Sequence, residues 1–168
     1  LYSFFFTILQ DAAGCLWSDK WQDGYHFNER KSGDYVTKNF NVKGGETVVT
    51  PAGTFENCLR VSFDFQAWGY FSGRSEYLFA DGVGIVRFEH PYGEDKCAVW
   101  QLTEYKGTGE GFFPTDDGLF RRYEADALSD GWHGSVEYTF DEDENGTVMF
   151  KNALGTQDRA DYEKMKKK

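Results

Sequence analysis

Hydrophobic and polar residues alternate along most of this chain with a period of two. The clearest run is Leu59-Arg60-Val61-Ser62-Phe63-Asp64-Phe65, where apolar side chains occupy every second position. Successive side chains of a strand point to opposite faces, so this pattern predicts a strand with one buried and one wet face. Related segments predict further strands at Leu1–Leu9, Tyr35–Val42, Glu46–Thr50, Leu59–Gln66, Tyr70–Phe79, Val83–Glu89, Lys96–Tyr105, Leu119–Glu124, Ser135–Phe140 and Thr147–Lys151. In the Lys96 segment both faces are rather apolar, which suggests a central strand.

Turn chemistry separates these runs. Asp23-Gly24, Ser32-Gly33, Asp81-Gly82 and Asn145-Gly146 are reversal signals, and Thr50-Pro51-Ala52-Gly53 fits a type I turn. Lys43-Gly44-Gly45 reads as a hairpin turn between two short strands, and Gly73 as an interruption. Gly107-Thr108-Gly109-Glu110-Gly111 reads as a flexible link, and Asp158–Lys168 as a short terminal helix with acids before lysines. Long helices are missing, which removes βαβ folds. The expectation is an all-β, mainly antiparallel protein: a curved sheet, open barrel or sandwich of about nine to ten strands with a short C-terminal helix.

A length of 168 residues fits one domain spanning 1–168, and a start without Met suggests a piece of a longer product. A net charge of -10 argues against nucleic acid and anionic membrane surfaces as partners. The apolar stretch Leu1–Leu9 is too short to span a bilayer, so no membrane-spanning segment is expected. Cys15, Cys58 and Cys97 form no disulfide framework; buried thiols are the default, with Cys58–Cys97 the favoured pair if one bridge forms.

Chemistry-bearing motifs are sparse. His26, His90 and His133 lie beside turns at no metal-ligand spacing, and no cofactor or metal is expected. No Gly-x-Ser-x-Gly elbow occurs, and a Cys97/His90 pair has no strong support. Asp141-Glu142-Asp143-Glu144-Asn145-Gly146 matches the start of an EF-hand loop, but position 12 is Asn152 instead of Glu, so an acidic hairpin tip is the better reading. Asp23-Gly24-Tyr25-His26 echoes Asp130-Gly131-Trp132-His133, a match short enough for chance. Glu76, Glu104 and Glu137 fall in strands, where wet-face positions are favoured over an acid pair for glycoside hydrolysis.

Aromatic residues make up 18% of the chain, enough to supply both a sheet core and a ligand platform. Trp68, Tyr70, Tyr77 and Trp100 fall on adjacent predicted strands and are the candidate contact residues of a concave aromatic face. No catalytic group accompanies them.

One resemblance adds to this reading. Glu46-Thr47-Val48 through Pro51-Ala52-Gly53-Thr54-Phe55, then Cys58-Leu59-Arg60-Val61 and Gly82-Val83-Gly84-Ile85-Val86, resembles β-rich domains of uncharacterised bacterial proteins, many of them lipoproteins or cell-envelope proteins. The resemblance implies a curved antiparallel sheet in a cell-envelope or extracellular setting, with a cytoplasmic one still open. It carries turn and core positions and no catalytic residue. The expected function is a non-catalytic module that binds a glycan, a small apolar ligand or another protein. The alternatives are a carbohydrate-active hydrolase using strand carboxylates and a structural spacer.

Overall fold

A computed structural model describes residues 22–69, 71–93, 96–112, 114, 116–127, 132–142 and 148–158. Nine strands follow one another in chain order within one sheet: β1 (His26–Ser32), β2 (Tyr35–Thr50), β3 (Gly53–Ala67), β4 (Phe71–Ala80), β5 (Gly84–Gly93), β6 (Lys96–Lys106), β7 (Phe120–Ala127), β8 (Trp132–Glu142) and β9 (Val148–Asp158). Every neighbouring pair is antiparallel, and the sheet does not close into a barrel. The expected all-β meander is therefore the fold. The strand at Leu1–Leu9, the Asn145-Gly146 turn and the terminal helix beyond Asp158 lie outside the described residues.

Two sequence expectations need correction. Lys43-Gly44-Gly45 is no hairpin turn, because β2 runs unbroken for 16 residues from Tyr35 to Thr50. The glycines make a bulge instead: three steps from Lys43 to Glu46 face two from Arg60 to Cys58, and Gly45 takes φ 76°. Nor does Gly73 interrupt β4, which pairs through it with Phe65.

Bulges explain how strands this long stay amphipathic and curved. Between Lys38↔Asp64 and Asn41↔Ser62, β2 carries one extra residue; Asn39 absorbs it at φ 52°, leaving Phe40 on the same face as Phe63. A third irregularity sits on β3, where Asn57 adopts φ 55° between the Cys58 and Phe55 pairings. Asparagine tolerates this left-handed region better than most residues. Each bulge restores the inside–outside parity and bends the strand.

The bent sheet wraps one face around its own aromatic side chains. Phe27, Phe40, Phe63, Tyr77, Phe88 and Trp100, one from each strand β1 to β6, form a continuous stack. Successive ring centroids lie 4.7, 5.9, 6.0, 5.7 and 5.7 Å apart with interplanar angles of 6° to 19°. On the next two strands the register places Ala125 and then Gly134 beside Trp100, so the stack ends there. Val42, Val61, Phe79, Val86, Leu102 and Val136 fill the space around it and are almost fully buried. Contacts beyond neighbouring strands hold the curl: Ala52 N–H donates to Leu102 O at 3.1 Å, and Phe55 packs 5.9 Å from Tyr105.

Candidate functional site

The opposite face is a lattice of ion pairs. Arg60 bonds Glu46 at 3.2 Å and Glu76 at 3.1 Å, Arg87 reaches Glu89 at 2.7 Å, and Arg74 pairs with Asp64 at 3.4 Å. Further along, Arg122 joins Glu104 at 2.7 Å and Glu137 at 2.6 Å. The three strand acids singled out from sequence, Glu76, Glu104 and Glu137, thus all face the wet side with arginine partners. Glu104 and Glu137 share Arg122, and Glu76, opposite Glu89 in the register, shares Arg87 with it. Lys43 hydrogen-bonds Glu46 and, with Arg60, holds its carboxyl below the usual range against the opposing effect of desolvation.

The four candidate aromatic residues do not form one surface. Tyr77 is completely buried in the middle of the stack, and burial pushes its phenol well above the ordinary range, with the nearby Ser75 hydroxyl acting in the opposite direction. Trp100 is half-buried and lies flat on Phe88. The Tyr70 side chain lies outside the described residues. Only Trp68 is open to solvent, with 45% of its surface exposed. Tyr77 and Trp100 thus belong to the aromatic stack on the inner face of the sheet, and Trp68 stands apart from them in a turn.

Trp68 sits in the β3–β4 turn in the left-handed region, at φ 53°. A bulky residue there is strained, and such strain persists only where surrounding contacts hold it. Two contacts do so. The Trp68 N–H donates to Asp34 O at 3.1 Å, docking this turn on the β1–β2 turn, and the indole packs against Tyr35 at 5.5 Å and 58°. Gln66 ties the same turn through Nε2 to Gly69 O at 3.3 Å. The result is an open aromatic wedge at one end of the sheet, made by Trp68 and the half-buried Tyr35. Sequence reasoning missed Tyr35, although its place beside the Ser32-Gly33 turn signal sets it at the same sheet end as Trp68.

At the other end, the segment 107–119 crosses the β4–β5 turn. Gly82 N–H donates to Gly111 O at 2.8 Å, and Gly109 N–H donates to Gly82 O at 2.9 Å. The strap approaches Gly82 closely: a Cβ there, at φ 75°, meets Gly109 O at 3.1 Å. The Gly107–Gly111 link is thus an ordered strap. Between strap and turn lies an open depression of about 780 Å³ lined by Asp81, Gly82, Thr108, Gly109, Glu110 and Gly111.

No disulfide joins Cys58 to Cys97, and Cys58 is fully buried. Burial raises the Cys58 thiol above its usual range, which disfavours the reactive thiolate. The His90 side chain and the acidic tip at 143–147 lie outside the described residues, and His26 is exposed, 3.1 Å from Gly24 O through Nδ1. Among the described residues no cluster of three metal-ligating side chains occurs, and no helix is long and apolar enough to cross a membrane. No protein-family description, curated protein or solved structure matches the chain.

Proposed function

We propose that this chain is a non-catalytic binding module that grips a ring-faced ligand between Trp68 and Tyr35. The observation that carries the reading is the exposed indole in a strained left-handed backbone, fixed by a hydrogen bond to the neighbouring turn. Strain retained at a solvent-exposed aromatic points to use rather than packing. The apolar face of a pyranose suits a wedge of two rings with polar groups beside it, here Gln66 and Asp34.

The rest of the molecule supports a binding role over a catalytic one. The strand carboxylates Glu76, Glu104 and Glu137 each pair with arginine on the outer face, in a lattice that suits a structural surface. The proposal extends to an envelope or extracellular setting, on the sequence resemblance of residues 46–61 and 82–86 alone. A second reading, a structural spacer, draws support from the extensive buried aromatic and aliphatic core among the described residues.

Calorimetric titration with neutral oligosaccharides of the cellulose and chitin series tests the proposal. Binding should weaken about tenfold or more in Trp68→Ala while the fold persists. Titrations with no heat across the panel would leave the spacer reading in possession.

A further inference from the structure

Arg121 is the one buried guanidinium among the described residues, with 4% of its surface exposed, and its hydrogen bonds all go to main-chain oxygens. Nε donates to Val83 O at 2.7 Å, and Nη1 donates to Lys106 O at 2.9 Å and Phe120 O at 2.7 Å. Two of those oxygens lie on segments far from Arg121 in the chain. Val83 closes the β4–β5 turn, and Lys106 ends β6 just before the strap Gly107–Gly111. One side chain on β7 therefore ties the base of the turn to the base of the strap.

Beyond this pin, strap and turn are joined among the described residues by two main-chain bonds, Gly82 N–H to Gly111 O and Gly109 N–H to Gly82 O. Both bonds connect glycines, which bring no side chain to bury. Gly107 and Gly111, at φ 75° and 74°, bracket the strap with backbone suited to a hinge. Thr108 and Glu110 between them are exposed.

The closed arrangement is costly at its centre. Arg121 Nη2 is buried and has no hydrogen-bond partner. Burial works against the charge, and the phenols of Tyr123 and Tyr105 favour it only in part. The Tyr105 ring lies 5.5 Å from the central carbon of the guanidinium. A buried donor without an acceptor and a buried charge without a counter-charge both destabilise. Opening the strap lets water reach that donor, which offsets part of the loss of the two main-chain bonds. The strap is thus poised closer to opening than β4 and β5, which the Tyr77 and Phe88 rings hold in the stack.

We propose that the strap Gly107–Gly111 is a latch on the β4–β5 turn, pinned by Arg121, and that it opens as a unit while the nine-stranded sheet stays folded. The device lies at the opposite sheet end from the Trp68 wedge and does not depend on it.

Native-state hydrogen exchange of amides and arginine side chains, followed by NMR in rising denaturant, tests it. The Gly82 and Gly109 N–H groups and the Arg121 Nε–H should exchange through one opening, with constants equal within about twofold and little denaturant dependence. That constant should exceed those of the β3 amides by about tenfold or more. Arg121→Lys keeps the charge but loses the planar fork that reaches both segments. It should raise the opening constants of Gly82 and Gly109 about tenfold relative to β3, as expected when one charge-assisted hydrogen bond is lost. The wild-type comparison carries the test if that variant fails to fold. Strap amides as protected as β3, an Arg121 Nε–H that opens separately from Gly82 and Gly109, or a variant that shifts strap and β3 equally would each overturn the proposal.

Discussion

Replacing Phe63 by alanine removes the third ring of the stack and leaves Phe40 and Tyr77 facing a void, since neither can close the gap without moving its strand. A loss of about 3–5 kcal/mol is expected, measured as the shift in a chemical denaturation midpoint. Gly82→Ala should also destabilise, by more than about 1 kcal/mol, because a left-handed φ and contact with Gly109 O act together. Tyr77 carries a pH prediction. Its phenol is raised in the folded state, so folded and unfolded chains hold the proton equally at low pH. Once the pH passes about 10, the unfolded chain releases it and the folded one keeps it, which favours unfolding. The Tyr77 contribution to stability should be flat with pH up to that point and decline above it. In Tyr77→Phe that decline should be shallower, as followed by melting temperature from pH 8 to 11; equal slopes would refute the assignment. Exposure at this scale was poorly legible in the sequence. Tyr77 and Trp68 look alike as strand-flanking aromatics, and only the register decides that one lies in the core and the other in a turn.

At the scale of the strand, the two faces should answer differently to substitution. Arg122 links Glu104 and Glu137 across three strands, yet all three side chains are more than one-third exposed, at 36–39%. Solvent screening reduces such pairs, so Arg122→Gln should lose no more than about 1 kcal/mol, and less again in high salt. A loss matching that of Phe63→Ala in the same denaturation assay would show the polar lattice to be as important as the stack. The alternation of Leu59 to Phe65 made this division readable in advance, and wet-face positions for Glu76, Glu104 and Glu137 followed from it. The bulges were not readable. Gly44-Gly45 carries the same turn signal whether a chain reverses or merely adds a residue to one strand, and the choice is set by the partner strand's spacing. Asn39 and Asn57 gave no signal either, because an asparagine in an alternating run is equally compatible with regular extended backbone.

For the molecule as a whole, meander topology separates two ends. One gathers the turns that hold Trp68 and Tyr35, while the other is crossed by the strap over Arg121. The all-β architecture could be anticipated from regular turn spacing, but the order of the strands and the curl could not, the curl because it arises from bulges summed over many strand pairs. Among the described residues, that curl turns most aromatic rings inward and leaves Trp68 as the exposed ring. The most direct test is fluorine NMR of protein labelled with 5-fluorotryptophan, with Trp68 and Trp100 assigned through Trp68→Phe and Trp100→Phe, titrated with cellulose and chitin oligosaccharides. The account predicts a saturable shift of the Trp68 resonance and a silent Trp100. A shift of Trp100 with an unmoved Trp68 would contradict it, by showing that the ligand enters the curl.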